Sequence, residues 1–417
     1  MLRQRFESIT QNYPSQFWLL FWGQFISATG EALIWPFLTI YSREHFGVSL
    51  TTIAGILAVR TCLTLISSFA TGYISDHYGR KWLLVSGLVL TAVDYFWMSR
   101  VDDVVYFAML LMAMGIFFPF FKVGSDSMVA DLIPDTQRTD AYALMRMANN
   151  AGVAIGPIIG GFLAIISYDY VFILGSVAML FYGLMIAFFT QESLPTQANA
   201  NHKVNPISGY KPVFQDRLFL STIGAFTLSS IAAVTVFTIL PVYVKENFGI
   251  AENGYGMILA CNAIMIVLFQ FSVTRITQRY SPLFMLAIGT VFWAIGLGAV
   301  AISKSFWFFV ISMIIVTMGE LIASPTATAL AAHLAPEALR GRYMSLYSLT
   351  ITLSSGLGPV FGGLLNDLIS PSAVWYGGAM VSILCVIWFL LLYSRFPQVI
   401  ELLQQFNSVA SSGGVSN

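Results

Sequence analysis

Gly152-Val-Ala-Ile-Gly156-Pro157-Ile-Ile-Gly160-Gly161 returns 202 residues later as Ser354-Ser-Gly-Leu-Gly358-Pro359-Val-Phe-Gly362-Gly363. The same offset carries Phe46-Gly47 onto Phe248-Gly249, Tyr41 onto Tyr243, and Ile56-Leu57-Ala58 onto Ile258-Leu259-Ala260. It also carries Tyr78 onto Tyr280, Gly87 onto Gly289, Pro134 onto Pro336 and Arg138 onto Arg340. Matches between leucines or alanines would mean nothing in a chain this apolar. Glycine, proline, arginine and tyrosine recurring at one spacing, without a gap, identify a duplicated unit.

The duplicated unit is apolar. Of 417 residues, 57% are hydrophobic, 15% aromatic and 10% charged, and the mean hydropathy is +0.77. A soluble domain carries about 25% charged residues, so most of this surface faces something other than water. A helix needs about 20 apolar residues to cross a bilayer. Such spans fall near 17–42, 53–75, 82–100, 104–129, 141–166 and 170–190, then near 218–244, 252–275, 282–302, 305–329, 341–367 and 373–394. The expected fold is an all-α membrane protein of twelve transmembrane helices in two pseudo-symmetric six-helix bundles. The first bundle covers 1–190, a polar, Pro-bearing cytoplasmic linker 191–217, the second bundle 218–395 and a cytoplasmic tail 396–417. The tail ends in SSGGVSN and is expected to be disordered. The first span follows a polar segment holding Arg3 and Arg5 and shows no small-residue cleavage site, so it is expected to be retained as a helix.

Lysine and arginine set the orientation. With the N-terminus inside, the cytoplasmic side receives Arg3, Arg5, Arg80, Lys81, Arg138, Lys203, Lys211, Arg217, Arg275, Arg279, Arg340, Arg342 and Arg395. The outer side receives Arg43, Arg100, Lys245 and Lys304. Both termini are therefore expected in the cytoplasm. A formal net charge of zero and a pI near 6.9 lack the basic stripe that nucleic acid demands. Cys62, Cys261 and Cys385 sit apart in apolar segments, and the four histidines at 45, 77, 202 and 333 are scattered. Neither set has metal-ligand or disulfide spacing. No phosphate-binding loop follows a strand, and no nucleophile stands with a base. Enzyme chemistry, a metal and ATP are all unexpected.

The loop after the second span reads Gly72-Tyr-Ile-Ser-Asp76-His-Tyr-Gly79-Arg80-Lys81. It resembles the G-x-x-x-D-x-x-G-R-K signature of the major facilitator superfamily, and the Gly152 to Gly161 stretch resembles that superfamily's antiporter motif. The resemblance covers essentially the whole chain. Gly319-Glu320-Leu-Ile-Ala-Ser-Pro325, with Arg340-Gly-Arg-Tyr343 after it, is most similar to the bacterial proton-coupled multidrug exporters of this superfamily. Two parallel halves are what such secondary transporters rock about a midplane site. The resemblance implies that Asp76 caps a neighbouring helix and that Arg80 pairs with an acid at the end of the fourth span, for which Asp131 fits best. That pair would latch the outward-facing state. On physical grounds alone, Gly79 permits a tight turn, while Arg80 and Lys81 hold the loop at the cytoplasmic face. The small residues of Gly152, Gly156, Gly160 and Gly161 allow close helix approach, and Pro157 adds a kink. The second copy of the loop has Thr274, Gln278, Ser281, Pro282 and Leu283 in place of Gly72, Asp76, Gly79, Arg80 and Lys81. A latch would be one-sided.

An ionisable side chain at the bilayer centre costs about 2.5 kcal/mol or more on insertion scales, so each one asks for a function. The candidates are Glu31, Arg60, Asp94, Lys122, Asp126, Arg146 and Glu320. Internal pairing accounts for five of them: Lys122 with Asp126 at i,i+4, Asp126 with Arg146 near adjacent helix ends, and Arg60 with Asp94. Glu31 and Glu320 stand apart, with no opposite charge on their own helix within a turn or two. Their repeat partners Ala233 and Phe118 are uncharged, so the fold itself does not require an acid at either place. Burial in an apolar medium favours the protonated form of a carboxyl group, the property a proton carrier needs. A carboxylate at the same place also attracts a cation. Many exporters of the family carry an arginine four residues before the fourth-span glycine, where this chain has Leu111 before Gly115. Arg60, Lys122 and Arg146 are the available substitutes. Trp35, Phe117 and Phe121 are the aromatic candidates for stacking against an apolar cation.

These features imply a proton-coupled antiporter of amphipathic small molecules, monomeric, in a bacterial inner membrane and driven by the proton motive force without a cofactor. A dedicated metabolite exporter or a symporter on the same fold is the alternative. A non-transporting receptor or scaffold is remote, since it predicts loss of the midplane acids.

Overall fold

A chain can cross hydrocarbon only if every backbone amide is paired within the protein, and long apolar runs achieve this as helices. In the computed structural model, which describes residues 13–134, 137–193, 211–336 and 339–396, no strand occurs among the described residues. The order is α1 (Ser15–Ile34), a 3-10 turn (Trp35–Phe37), α2 (Leu38–Phe46), α3 (Leu50–Tyr78), α4 (Arg80–Met98), α5 (Val104–Leu132), α6 (Arg138–Ile166) and α7 (Tyr168–Phe189). It continues with a short α8 (Lys211–Gln215), α9 (Arg217–Thr238), α10 (Leu240–Phe248), α11 (Glu252–Thr277), α12 (Pro282–Ile302), α13 (Phe306–Leu334), α14 (Arg340–Leu368) and α15 (Ala373–Arg395).

The 202-residue offset is visible in the backbone. It superposes both ends of α2 on α10, of α5 on α13 and of α6 on α14. Gly47 and Gly249, equivalent under it, end α2 and α10 in the left-handed region at φ 64° and 65°, where a side chain would be strained. The first span and its counterpart are both interrupted. Pro36 offers no amide hydrogen, so α1 tightens into a 3-10 turn before α2 begins. Pro241 opens α10 in the same way after α9.

Among the described residues, eleven helices are long and apolar enough to cross a membrane. The span of α1 is the remaining one. Gln24, Ser27, Thr29 and Glu31 dilute its hydropathy, but Gln24 is buried and donates to Asn149 Oδ1 on α6 at 3.0 Å. The helix therefore belongs to the bundle. Large apolar side chains such as Phe69, Phe188, Val267, Phe271 and Trp307 stand exposed along the helices. On a soluble protein a surface of that kind is an association hazard, and here it is what acyl chains require.

Backbone packing divides the chain into two units, Met1–Val48 with Gly55–His202 and Ala251–Ala260, and Ser49–Ala54 with Lys203–Ile250 and Cys261–Asn417. Within the first unit, α1 packs on α6 and α7, and α4 packs on α5 and α7. Within the second, α9 packs on α14 and α15, and α12 packs on α13 and α15. The two sets are the same set under the repeat. Asp103 and Asp216 cap the starts of α5 and α9, Asp103 accepting the Val105 and Tyr106 amides and Asp216 the Phe219 amide.

Candidate functional site

In the first unit, four helices converge on Arg60. Its guanidinium lies over the Trp35 ring at 4.6 Å from the centroid, within the range of a cation–π contact. Trp35 is the residue at which α1 gives way to the 3-10 turn, and its backbone N–H donates to the carbonyl of Glu31 one turn earlier. Glu31 and Trp35 thus stand one helical turn apart, just before the Pro36 break. Glu31 and Asp94 lie within electrostatic range of Arg60 and Lys122 within range of Glu31. None of these groups forms an ion pair with another among the described residues. Asp94 is 3% exposed, with its Oδ2 carrying no hydrogen bond. Arg60 Nε is likewise buried without a hydrogen-bond partner. The helix carrying Arg60 lies so close to α5 that a Cβ on Gly115 would sit 2.6 Å from the Arg60 carbonyl oxygen and 3.1 Å from its Cγ. Of the three substitute cations, Arg60 is the one placed at the Gly115 level, reached from α3 where the family pattern would reach it from Leu111.

The second unit carries a different constellation. Asn262 on α11 is 7% exposed, and its amide nitrogen donates to Thr317 Oγ1 at 2.9 Å and to Glu320 Oε2 at 3.0 Å, both on α13. Thr317, fully buried, commits its own proton to the Met313 carbonyl at 2.7 Å, so its oxygen is free to accept from the amide. Trp293 of α12 abuts the next turn, with its Cδ1 2.5 Å from where a Gly319 Cβ would stand. Asn262 carries no charge and was not legible as a site residue from composition. The repeat could have found it, because the offset places Asn262 on Arg60 and Thr317 on Gly115.

Where α3 passes into α4 in the first unit, the Arg80 guanidinium pairs with the Asp131 carboxylate at the end of α5, which also accepts from the Ser193 hydroxyl at 2.9 Å. Glu192 caps the start of α4, its Oε1 accepting the Arg80 amide at 2.9 Å. Gly79 turns the chain at φ 99°, and a Cβ there would stand 2.4 Å from Glu192 Oε2. Sequence reasoning missed Glu192, which lies more than a hundred residues away. Glu192→Ala is expected to cost about 1 kcal/mol, the worth of a helix cap, read as a lower thermal midpoint of the purified protein. The side chains of Gly72 and Asp76 lie outside the described residues. Lys122 and Asp126 pair at 3.2 Å, both half-exposed, while Arg146 is exposed. Phe121 is buried, its ring edge-on to Phe118 at 4.9 Å, and Phe117 sits against Phe120 at 6.4 Å.

The family model described as Major Facilitator Superfamily matches residues 20–251 and again 222–407. The chain belongs to the major facilitator superfamily. It is 25% identical over 392 residues to a "Na(+), Li(+), K(+)/H(+) antiporter" of Planococcus maritimus, covering 85% of this chain and 88% of that one. It is 24% identical over 376 residues to the multidrug resistance protein MdtH of Escherichia coli O1:K1, covering 88% and 91%. Among solved structures, the nucleoside transporter NupG superposes with a TM-score of 0.77 at 13% identity, covering 90% of this chain and 99% of that one. A POT family transporter in complex with 5-aminolevulinic acid gives 0.75 at 18%, covering 92% and 96%. These likenesses support the fold, and a small-molecule substrate follows from the transporter family.

In this superfamily member the glycine stretch of α6 is a packing seam. A Cβ on Gly152 would meet the Phe25 carbonyl at 2.7 Å, on Gly156 the Ala32 Cβ at 2.5 Å, and on Gly160 the Leu33 carbonyl at 2.5 Å. Gly161 faces the other way, against the Glu252 carbonyl at 2.7 Å. At the position equivalent to Gly152, the Ser354 hydroxyl has the Thr350 carbonyl of its own helix at 2.9 Å and the Thr227 carbonyl at 3.2 Å as acceptors, and Thr227 is the repeat equivalent of Phe25. One half uses a bare glycine at this contact and the other a small hydroxyl side chain. Gly156→Leu is expected to force α6 off α1 and to cost about 3 kcal/mol, the upper end for overpacking. The checking measurement is the thermal midpoint, with Ser354→Gly as a mild comparison.

Proposed function

We propose that this major facilitator is a proton-coupled antiporter that exports amphipathic, cationic or neutral small molecules by alternating access. The observation that carries the reading is the presence of two carboxyl groups inside membrane helices in unlike surroundings. Glu31 lies one turn before Trp35, whose ring the Arg60 guanidinium covers, and Glu320 is held by a neutral amide. An acid kept in hydrocarbon is retained for ion or proton traffic. Two of them on different helices allow a proton and a substrate to bind competitively. The likeness to MdtH favours organic substrates. The likeness to the Planococcus maritimus protein favours a second reading, exchange of alkali cations for protons. A dedicated metabolite exporter on the same fold uses the same parts without multidrug breadth. The excess of Lys and Arg in alternate loops supports an inner-membrane location with both termini inside. The function needs no cofactor or bond-making chemistry, only the proton gradient, and one chain suffices for it.

Purified protein reconstituted with an interior pH dye tests this. Addition of lipophilic cations is expected to release protons from the native protein. Glu31→Gln and Glu320→Gln are each expected to lower that exchange at least tenfold. Intact exchange in the double variant would sink the antiport reading.

A further inference from the structure

Lys122 and Asp126 of α5 have side-chain exposures of 50% and 44%. Arg146 lies on α6, about two turns in from Arg138, and is exposed as well. One turn before it, the Tyr142 hydroxyl donates to the Asp126 carbonyl at 2.8 Å and ties the two helices at this level. Acyl chains solvate neither sign of charge, so an ionisable side chain in a membrane span turns to the protein interior, to water or to lipid headgroups. Exposure rules out the interior here.

The 202-residue offset shows what the fold itself asks for at these positions. Lys122, Asp126, Arg146 and Asn150 fall on Ser324, Thr328, Ser348 and Thr352. All four equivalents carry a hydroxyl. Thr328, Ser348 and Thr352 donate theirs to the carbonyls of Ser324, Met344 and Ser348, one turn earlier on their own helices. Polarity is thus common to both copies, and charge belongs to the first alone.

The charges of the first copy do not cancel. The sequence offers Asp126 to both Lys122 and Arg146, and the structure gives it to Lys122 at 3.2 Å. Asp131 is taken by Arg80. Asp140, earlier on α6, lies about 120° round the helix from Arg146. Among the described residues the Arg146 side chain has no ion pair, and neither it nor the Asn150 side chain has a hydrogen bond. Asn150 is exposed on the same face, one turn further along.

We propose that Arg146, with Asn150, is a binding site for an oxyanion: the carboxylate, sulfonate or phosphate group of a small amphipathic molecule or of a lipid. The guanidinium presents a planar fork of N–H donors that matches two oxygens of such a group, and Asn150 adds an amide donor one turn away. A cation meets a facet where Lys122 and Arg146 outnumber Asp126. The inference goes beyond the antiport reading and stands without it, because it concerns binding at equilibrium with no gradient.

The reporter is Ala143→Cys, at an exposed position one turn before Arg146, in the full chain with Cys62, Cys261 and Cys385 replaced by alanine. Its alkylation by the neutral reagent N-ethylmaleimide is followed in phosphatidylcholine vesicles as sodium p-toluenesulfonate or benzyltrimethylammonium chloride is added. Saturable protection by the sulfonate is expected, and none by the ammonium. Arg146→Gln is expected to raise the half-protecting concentration about tenfold, and Asn150→Leu about threefold. Arg146→Lys keeps the charge without the fork, is expected to fall between native and glutamine, and keeps the test readable if the glutamine variant does not fold. A second arm uses vesicles containing phosphatidylglycerol and no sulfonate. Slower alkylation there, reversed by Arg146→Gln, assigns the site to lipid headgroups, and protection by the sulfonate alone assigns it to a free anion. The proposal is overturned if neither sulfonate nor phosphatidylglycerol protects, if the ammonium protects equally, or if Arg146→Gln is protected like the native facet.

Discussion

Arg60→Leu is expected to destabilise the protein by about 3–5 kcal/mol and to abolish pH-driven transport. The size follows from breaking one side of a buried charge cluster, which leaves the other side uncompensated. Glu31 and Asp94 both lose the guanidinium within whose electrostatic range they lie, and Asp94 Oδ2 has no hydrogen bond to fall back on. The same logic predicts recovery. Arg60→Leu combined with Asp94→Asn removes a charge of each sign and is expected to regain about half of the lost stability. Arg60→Lys keeps the charge but exchanges a planar group over Trp35 for a compact ammonium, and is expected to cost about 1 kcal/mol. Thermal unfolding of the four proteins in detergent, alongside flux in proteoliposomes, provides the comparison. An Arg60→Leu protein as stable as the native one would show that the cluster holds no charge worth balancing.

Arg80→Glu is expected to reduce transport by about thirtyfold, the rate equivalent of about 2 kcal/mol. The substitution sets two acids face to face where a guanidinium and a carboxylate now pair. It also changes the first residue of α4, whose amide Glu192 caps. Pairs that are hydrogen-bonded and partly withdrawn from water lose about 2–5 kcal/mol when one partner is removed. Asp131→Arg added to Arg80→Glu restores the opposite charges with the sites exchanged, and is expected to return at least a third of native flux. Substrate binding is expected to stay within twofold in the single variant, because the pair lies at the helix ends, several turns from the level of Glu31. If the double variant transports no better than the single one, the pair acts as a fold contact and carries no conformational latch.

The fold was legible because it is written twice. The offset that aligned Gly156-Pro157 with Gly358-Pro359 also aligned Gly47 with Gly249, and the structure ends equivalent helices at the two, at nearly identical φ. Apolar run length showed the spans, since hydrocarbon admits few other structures. Composition is less decisive for α1, where Gln24 and Glu31 lower the hydropathy of a helix that the bundle nonetheless packs. Charge within the spans singled out Glu31, Arg60, Asp94, Lys122, Asp126, Arg146 and Glu320, with Glu31 and Glu320 set apart from the rest, because an ionisable group in lipid asks for a function.

Partners across helices were a different matter. Whether Glu31 stood alone could be asked only along its own helix. Arg60 comes within electrostatic range of it from α3, a helix that the bare Gly115 lets lie close to α5. Asn262 was silent for a related reason: an amide is unremarkable by composition and becomes a site residue only when Thr317 and Glu320 are brought to it. Glu192 reached α4 from more than a hundred residues away. The sequence by itself determined what the solvent demands: the number of helices, their duplication and which charges lie in the apolar zone. The tertiary structure alone decided which of those charges meet. Hydrophobic burial is read locally along a chain, whereas a hydrogen bond or an ion pair depends on distances of a few ångströms between segments that only packing brings together.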